Sequence, residues 1–249
     1  MKQIIKNPKD KIVLALDVST KEEALKLVRE LKDYVGVFKV GLQLFMSEGY
    51  DVIRILQDEN IEIFFDVKLH DIPNTVSQAS INIIKHGITF FNIHTVGSHA
   101  MMSKTVELAE KTAEEHNLPK PVILGVTVLS SINQQVLTNE LEVNINIDDY
   151  VVNLAKLSQK SGLTGVVASV LEAAKIRKAC GKDFVILCPG IRPSFATKND
   201  QQRIATPADA IKAGADYLVI GRAVTAATDK VYAMKQIHDE IQEALAVRA

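Results

Sequence analysis

The stretch Lys11–Leu31, KIVLALDVSTKEEALKLVREL, contains one whole strand-turn-helix unit. Ile12 to Leu16 are apolar without a break, as in a parallel strand covered on both faces, and Asp17 ends the run. Thr20-Lys-Glu-Glu23 has the form of a capping box. Behind it Ala24, Leu25, Leu27, Val28 and Leu31 fall on one helical face.

The same alternation runs through the chain. Further strand-like runs are Gly36–Val40, Ile61–Asp66, Ile88–His94, Pro121–Val126, Gly165–Ser169, Phe184–Cys188 and Tyr217–Ile220, which makes eight in all. Between them lie helical patterns with recognisable punctuation. Pro73-Asn74 opens a helix with Val76, Ala79, Ile83 and Ile84 inward and Gly87 at its end. Thr206-Pro207 opens another that Gly214 closes, and Gly162 and Gly181 close two more. Eight strand-helix units at about 31 residues each predict a single-domain α/β chain, residues 1–249, folded as a (β/α)8 TIM barrel rather than an open doubly wound sheet.

Composition narrows the function. Of 249 residues, 47% are hydrophobic and 24% charged, the proportions of a globular protein, and the net charge of -1 offers no general attraction to nucleic acid or an anionic membrane. No apolar run approaches the roughly 18 residues of a membrane span, and no secretory signal pattern is present, so a cytoplasmic location is expected. Cys180 and Cys188 lack the paired spacing of a metal site and read as buried thiols.

A TIM barrel carries its active site at the C-terminal ends of the strands. Asp17, Lys39, Asp66 with Lys68, and His94 stand at the ends of the first four and are expected to converge at one mouth. Taken singly, such an Asp is more often a cap and such a Lys more often snorkels to water. Asp66 and Lys68, two apart, point to the same face, with Asp71 three residues on. That spacing sets an ammonium between two carboxylates, either a proton donor held charged or a structural ion pair under a loop. His70, on the other side of the alternation, reads as structural.

Across the mouth, Gly190-Ile-Arg192 and Gly221-Arg222 follow strands seven and eight, where barrels often hold phosphate. Glycine admits close approach, a helix start offers free N–H groups, and arginine binds phosphate in a fork. Arg192 to Thr206 is long, polar and suited to a lid; Gln201 and Gln202 within it could reach a ligand or simply be solvated. Thr127 to Ser131 brings hydroxyls to the same mouth.

DVKLHDIPNT (Asp66–Thr75) closely resembles the signature of the orotidine 5'-monophosphate decarboxylases. ALDV (Ala15–Val18), FKVG (Phe38–Gly41), GVTVLSS (Gly125–Ser131), PGIRP (Pro189–Pro193), DQQR (Asp200–Arg203) and IGRAVT (Ile220–Thr225) resemble that family's motifs in order. The resemblance implies a homodimeric barrel that converts orotidine 5'-monophosphate to uridine 5'-monophosphate and carbon dioxide without metal or organic cofactor. It implies Lys68 as proton donor, Asp66 beside the departing carboxylate, and a Lys39-Asp66-Lys68-Asp71 array to which Asp71, with Thr75, comes from the partner subunit. It further implies Asp17 on a ribose hydroxyl, Ser130 on the pyrimidine, and Arg192, Gln201, Gly221 and Arg222 on the phosphate. Ala223 stands where the family pattern has Pro, and Ser130 is the smaller hydroxyl.

Magnesium-dependent keto-sugar phosphate decarboxylases and hexulose phosphate synthases resemble the same fold and share Asp-x-Lys-x-x-Asp. They look to a carboxylate where this chain has Lys39, which would repel the ion. A Schiff-base aldolase is disfavoured because a lysine flanked by carboxylates stays protonated. A non-catalytic phosphate sensor would have no use for Asp66 and Lys68.

Overall fold

In the computed structural model, which describes residues 7–195 and 205–248, the apolar runs pair as eight parallel strands in chain order and close into a barrel. The strands are β1 (Ile12–Ala15), β2 (Val37–Gly41), β3 (Glu62–Leu69), β4 (Phe90–His94), β5 (Val122–Val126), β6 (Gly165–Val167), β7 (Val185–Cys188) and β8 (Tyr217–Ile220). The helices are α1 (Lys21–Leu31), α2 (Leu42–Glu48), α3 (Tyr50–Gln57), α4 (Pro73–Lys85), α5 (Ser98–Glu115), α6 (Gln134–Asn139), α7 (Ile147–Lys160), α8 (Val170–Cys180), α9 (Pro207–Ala213), α10 (Arg222–Thr225) and α11 (Lys230–Arg248). Each strand is followed by at least one helix; β2, β5 and β8 are followed by two.

Period-two alternation sorts the strand side chains into two cores. Val13, Val37, Phe64, Phe90, Leu124, Val126, Val167, Val185 and Leu187 fill the barrel interior. Ile12, Leu14, Phe38, Phe65, Phe91 and Ile186 point outward and meet the helices. The interior is therefore a packed plug, and a ligand site can form only above it, where the inward positions turn polar.

The helix signals hold with local adjustments. Thr20 Oγ1 accepts from Glu23 N at 3.3 Å, but the Glu23 carboxylate reaches Ser19 N rather than Thr20 N. Thr206 and Asp209 form the full reciprocal box at the start of α9, which ends on Gly214 in the left-handed region at φ 100°. In α4 the inward set differs from the expected one, with Ala79 half-buried and Ser77 and Ser80 fully buried. The serine hydroxyls donate to Asn74 O and Ser77 O in their own helix, which satisfies them without a partner across the interface.

Strand β3 departs furthest from expectation, continuing through Leu69 instead of stopping at Asp66. Its pairing with β4 shifts register between Phe65 and Leu69, and Lys68 within that bulge has φ 50°. A lysine in the left-handed region is uncommon and requires its surroundings to hold it there.

Candidate active site

Following the inward positions upward from the plug gives the site. Val13 leads to Ala15 and Asp17, Val37 to Lys39 and Gly41, Phe64 to Asp66 and Lys68, and Phe90 to Asn92. These strand ends surround a cavity of about 260 Å³ whose floor is Phe64, Val126, Val167, Leu187 and Val219. Asp17, Lys39, Asp66 and Lys68 line one side; Ser130, Gly190, Arg192, Gly221 and Arg222 line it as well.

The four charges form a continuous chain of alternating sign. Lys39 Nζ lies 3.0 Å from Asp17 Oδ1 and 3.5 Å from Asp66 Oδ2, and Lys68 Nζ lies 2.6 Å from Asp66 Oδ1. Asp66 and Lys39 are the buried members, with side chains 13% and 11% exposed, while Lys68 at 29% opens toward the cavity. Burial alone would raise the Asp66 carboxyl. The charges of Lys39 and Lys68, with hydrogen bonds from Lys68 and Asn92, outweigh it and hold the carboxyl below its ordinary value. A carboxyl lowered in this way contributes stability above the unfolded value, near pH 4, and that contribution is lost as pH falls through the folded value.

Asn92, a neutral residue that the reading of charges passed over, completes the group. Its side chain is wholly buried; Nδ2 donates to Asp66 Oδ1 at 2.7 Å and Oδ1 accepts from the Lys68 backbone N–H at 2.8 Å. A polar residue two before His94 in an otherwise apolar strand was the available signal.

Gly41, paired in register with Asp66, leaves the room that Lys39 uses. A Cβ on Gly41 would lie 2.7 Å from Lys39 Nζ. Gly41→Ala should therefore leave the melting temperature nearly unchanged, because the lysine tip can swing aside, yet reduce kcat about tenfold by displacing the ammonium between Asp17 and Asp66. Steady-state kinetics beside a thermal melt checks both halves.

Several expected residues lie elsewhere. His94 does not join the array: its ring packs 5.4 Å from His70 and lines a neighbouring apolar cavity with Val128, Leu129, Leu137 and Tyr150. Burial, His70 and Lys68 lower its pKa. Asp71 does not flank Lys68 within the chain. It is exposed, and its Oδ1 accepts from Ile72 N at 2.6 Å, because the backbone leaves the barrel after Leu69. Thr75 is likewise exposed on α4. Thr127 is buried and donates to Val167 O, a structural tie between β5 and β6. Cys180 and Cys188 are free, buried thiols, and burial pushes both upward.

At the opposite rim Arg192 is nearly buried, and its backbone pairs with Ala205, closing the feet of the loop after β7. Gln201 and Gln202 lie outside the described residues. Arg222 begins α10 immediately after Gly221. Counting all charged residues described along the cavity, four cations face two carboxylates, so it favours an anionic ligand. The arrangement offers a proton donor beside a carboxylate at one end and two guanidinium groups for an anion such as phosphate at the other.

Residues 10–237 match the model of the orotidine 5'-phosphate decarboxylase / HUMPS family. The chain belongs to this family. Among curated members, the orotidine 5'-phosphate decarboxylase of Syntrophotalea carbinolica is 47% identical over 94% of this chain and 96% of its own length. That of Geotalea uraniireducens is also 47% identical, over 93% of this chain and 95% of its own. The crystal structure of the Lactobacillus acidophilus orotidine 5'-phosphate decarboxylase superposes with a TM-score of 0.81 at 35% identity, covering 92% of this chain and 98% of that one. Within the decarboxylase family the (β/α)8 architecture is thus shared along nearly the whole chain.

Proposed function

We propose that this chain decarboxylates orotidine 5'-monophosphate to uridine 5'-monophosphate, as the family relationship indicates, and that the Asp17-Lys39-Asp66-Lys68 array performs the chemistry. The observation that carries the assignment within the family is Lys39. Its ammonium lies between Asp17 and Asp66, whereas the magnesium-dependent branch of the family calls for a carboxylate at this position to help hold the ion. The two chemistries need side chains of opposite charge at residue 39.

In this reading Arg192, Gln201, Gly221 and Arg222 hold the substrate phosphate, Ser130 contacts the pyrimidine, and Asp17 binds a ribose hydroxyl. The substrate carboxylate then lies near Asp66. Two carboxylates about 4 Å apart repel by roughly 4 kcal/mol at an effective dielectric of 20, a contribution that Lys39 and Lys68 largely offset. The larger effect is stabilisation of the product of bond cleavage. As the carbon-carbon bond breaks, its electron pair stays on the ring carbon beside the Lys68 ammonium and carbon dioxide departs. The proton moves from Lys68 Nζ to that carbon, and solvent returns a proton to the amine. No metal or organic cofactor is required, because the fixed ammonium supplies both the positive charge and the proton.

The functional unit is a homodimer, in which Asp71 and Thr75, both directed to the exterior here, complete the site of a second copy. Equal mixing of Lys68→Ala and Asp71→Ala chains should then restore about one intact site per heterodimer, and a site confined to one chain would show no recovery. A cytoplasmic location suits this biosynthetic role, and among the described residues no helix is long and apolar enough to cross a membrane.

Binding tests the substrate class. Uridine monophosphate should bind equally with and without EDTA, and uridine roughly 100-fold more weakly for want of the charge-assisted phosphate contacts. A keto-sugar phosphate that bound only with magnesium, with no affinity for the nucleotide, would overturn the assignment.

A further inference from the structure

We propose that Asn92 is a positioning residue for the decarboxylation: one buried side chain fixes the backbone that aims Lys68 and orients the carboxylate that pairs with it. The proposal rests on the decarboxylase reading and adds a residue to it.

Three observations converge on Asn92. First, it is wholly buried and stands in the inward row of β4, directly above Phe90 of the apolar plug, with Leu124 opposite it in register. An apolar side chain would fill such a place at no desolvation cost, so a buried amide there needs its hydrogen bonds. Second, both of its side-chain hydrogen bonds go to the reacting pair, Oδ1 from Lys68 N–H and Nδ2 to Asp66 Oδ1. Third, the residue whose N–H it holds is the one with φ 50° in the β3 bulge.

The third observation gives the amide a task. A lysine in the left-handed region lies in a sparsely populated conformation that persists only when neighbours over-determine it. The bulge removes the ordinary ladder partner at this point, and Asn92 takes over the orphaned donor. The other end of the same amide holds Asp66 Oδ1, the oxygen that Lys68 Nζ also touches. Asn92, on β4, therefore fixes the Lys68 backbone relative to the Asp66 carboxylate two residues before it on β3. A shift of about 1 Å in that geometry is enough to cost on the order of 100-fold in rate.

Asp66 is faced by Lys39 from β2, Lys68 from β3 and Asn92 from β4, with Asp17 beyond Lys39 and His94 beyond Lys68. The charges on the other strands are unaffected by a change at residue 92. Loss of the amide donor alone should therefore raise the Asp66 carboxyl.

The test compares Asn92→Ala and the isosteric Asn92→Asp with the unaltered enzyme in three measurements: kcat and KM for orotidine 5'-monophosphate, affinity for uridine monophosphate, and the pH profile of kcat/KM. Both variants should lose about 10- to 100-fold in kcat while nucleotide affinity stays within about twofold, because the phosphate end is untouched. The acid limb should move upward by about one pH unit in Asn92→Ala, the equivalent of one lost hydrogen bond. In Asn92→Asp, where a carboxylate oxygen replaces the donor against Asp66, it should move further. If Asn92→Ala does not fold, the isosteric variant carries the test.

Unchanged kcat in a folded variant overturns the proposal. So does a loss that follows only the fraction of folded protein, with the acid limb in place, which would mark Asn92 as purely structural. Absence of turnover by the unaltered enzyme would instead defeat the decarboxylase reading on which the proposal rests.

Discussion

Lys68→Ala should reduce kcat/KM for orotidine 5'-monophosphate by at least about 10⁴-fold, equivalent to about 5.4 kcal/mol of transition-state stabilisation. Two effects are lost together, the proton that ends the reaction and the positive charge that faces the developing carbanion. The fold should tolerate the change. Lys68 is only partly buried, and Asp66 keeps Lys39 at 3.5 Å and the Asn92 amide at 2.7 Å, so its carboxylate is not left alone. Affinity for uridine monophosphate should change less than tenfold, since Arg192 and Arg222 follow β7 and β8, which are not neighbours of β3 in the barrel. Lys68→Arg should not rescue turnover, because a guanidinium keeps the charge but does not give up its proton. Initial rates and calorimetric binding on the same preparations separate chemistry from binding.

Arg177→Ala should have the largest effect on stability and almost none on chemistry. Arg177 Nη1 donates to Gly181 O, Lys182 O and Phe184 O, and Nη2 to Gly214 O and Asp216 Oδ2, at 2.6 to 3.0 Å. Asp216 Oδ2 also accepts from Ile186 N. One guanidinium thus gathers the end of α8, the approach to β7 and the turn from α9 into β8, with both charged side chains under a fifth exposed. Removing it takes the counter-charge from a buried carboxylate and a donor from several carbonyls, a change that costs about 3–5 kcal/mol. For a chain of this size the melting temperature should fall by roughly 6–20 °C. The cluster lies at the N-terminal ends of β7 and β8, opposite the cavity, so kcat per folded molecule should stay within about twofold. A melt together with active-site titration checks the two parts.

Much of the site is legible in the sequence because charge is conspicuous in an apolar strand. Lys39 and Asp66 stand two residues above plug positions and Asp17 and Lys68 four above, and alternation alone places them at one mouth. The same rule points to Asn92, two above Phe90, yet a neutral amide draws less notice than His94 at the end of the same strand. His94 escapes the rule because β4 pairing ends there and the ring turns to His70. The left-handed backbone at Lys68 has no local signal, since valine and leucine flank it and the bulge arises from register with β4. Asp71 shows the limit of spacing arguments: its distance from Lys68 along the chain holds in space only if the strand continues, and β3 ends at Leu69.

The most direct test of the account is the fall in orotidine 5'-monophosphate absorbance with purified protein in EDTA, run beside Lys68→Ala. Metal-independent turnover in the first and none in the second is the predicted result. No turnover in EDTA, with activity on a keto-sugar phosphate once magnesium is added, would contradict it.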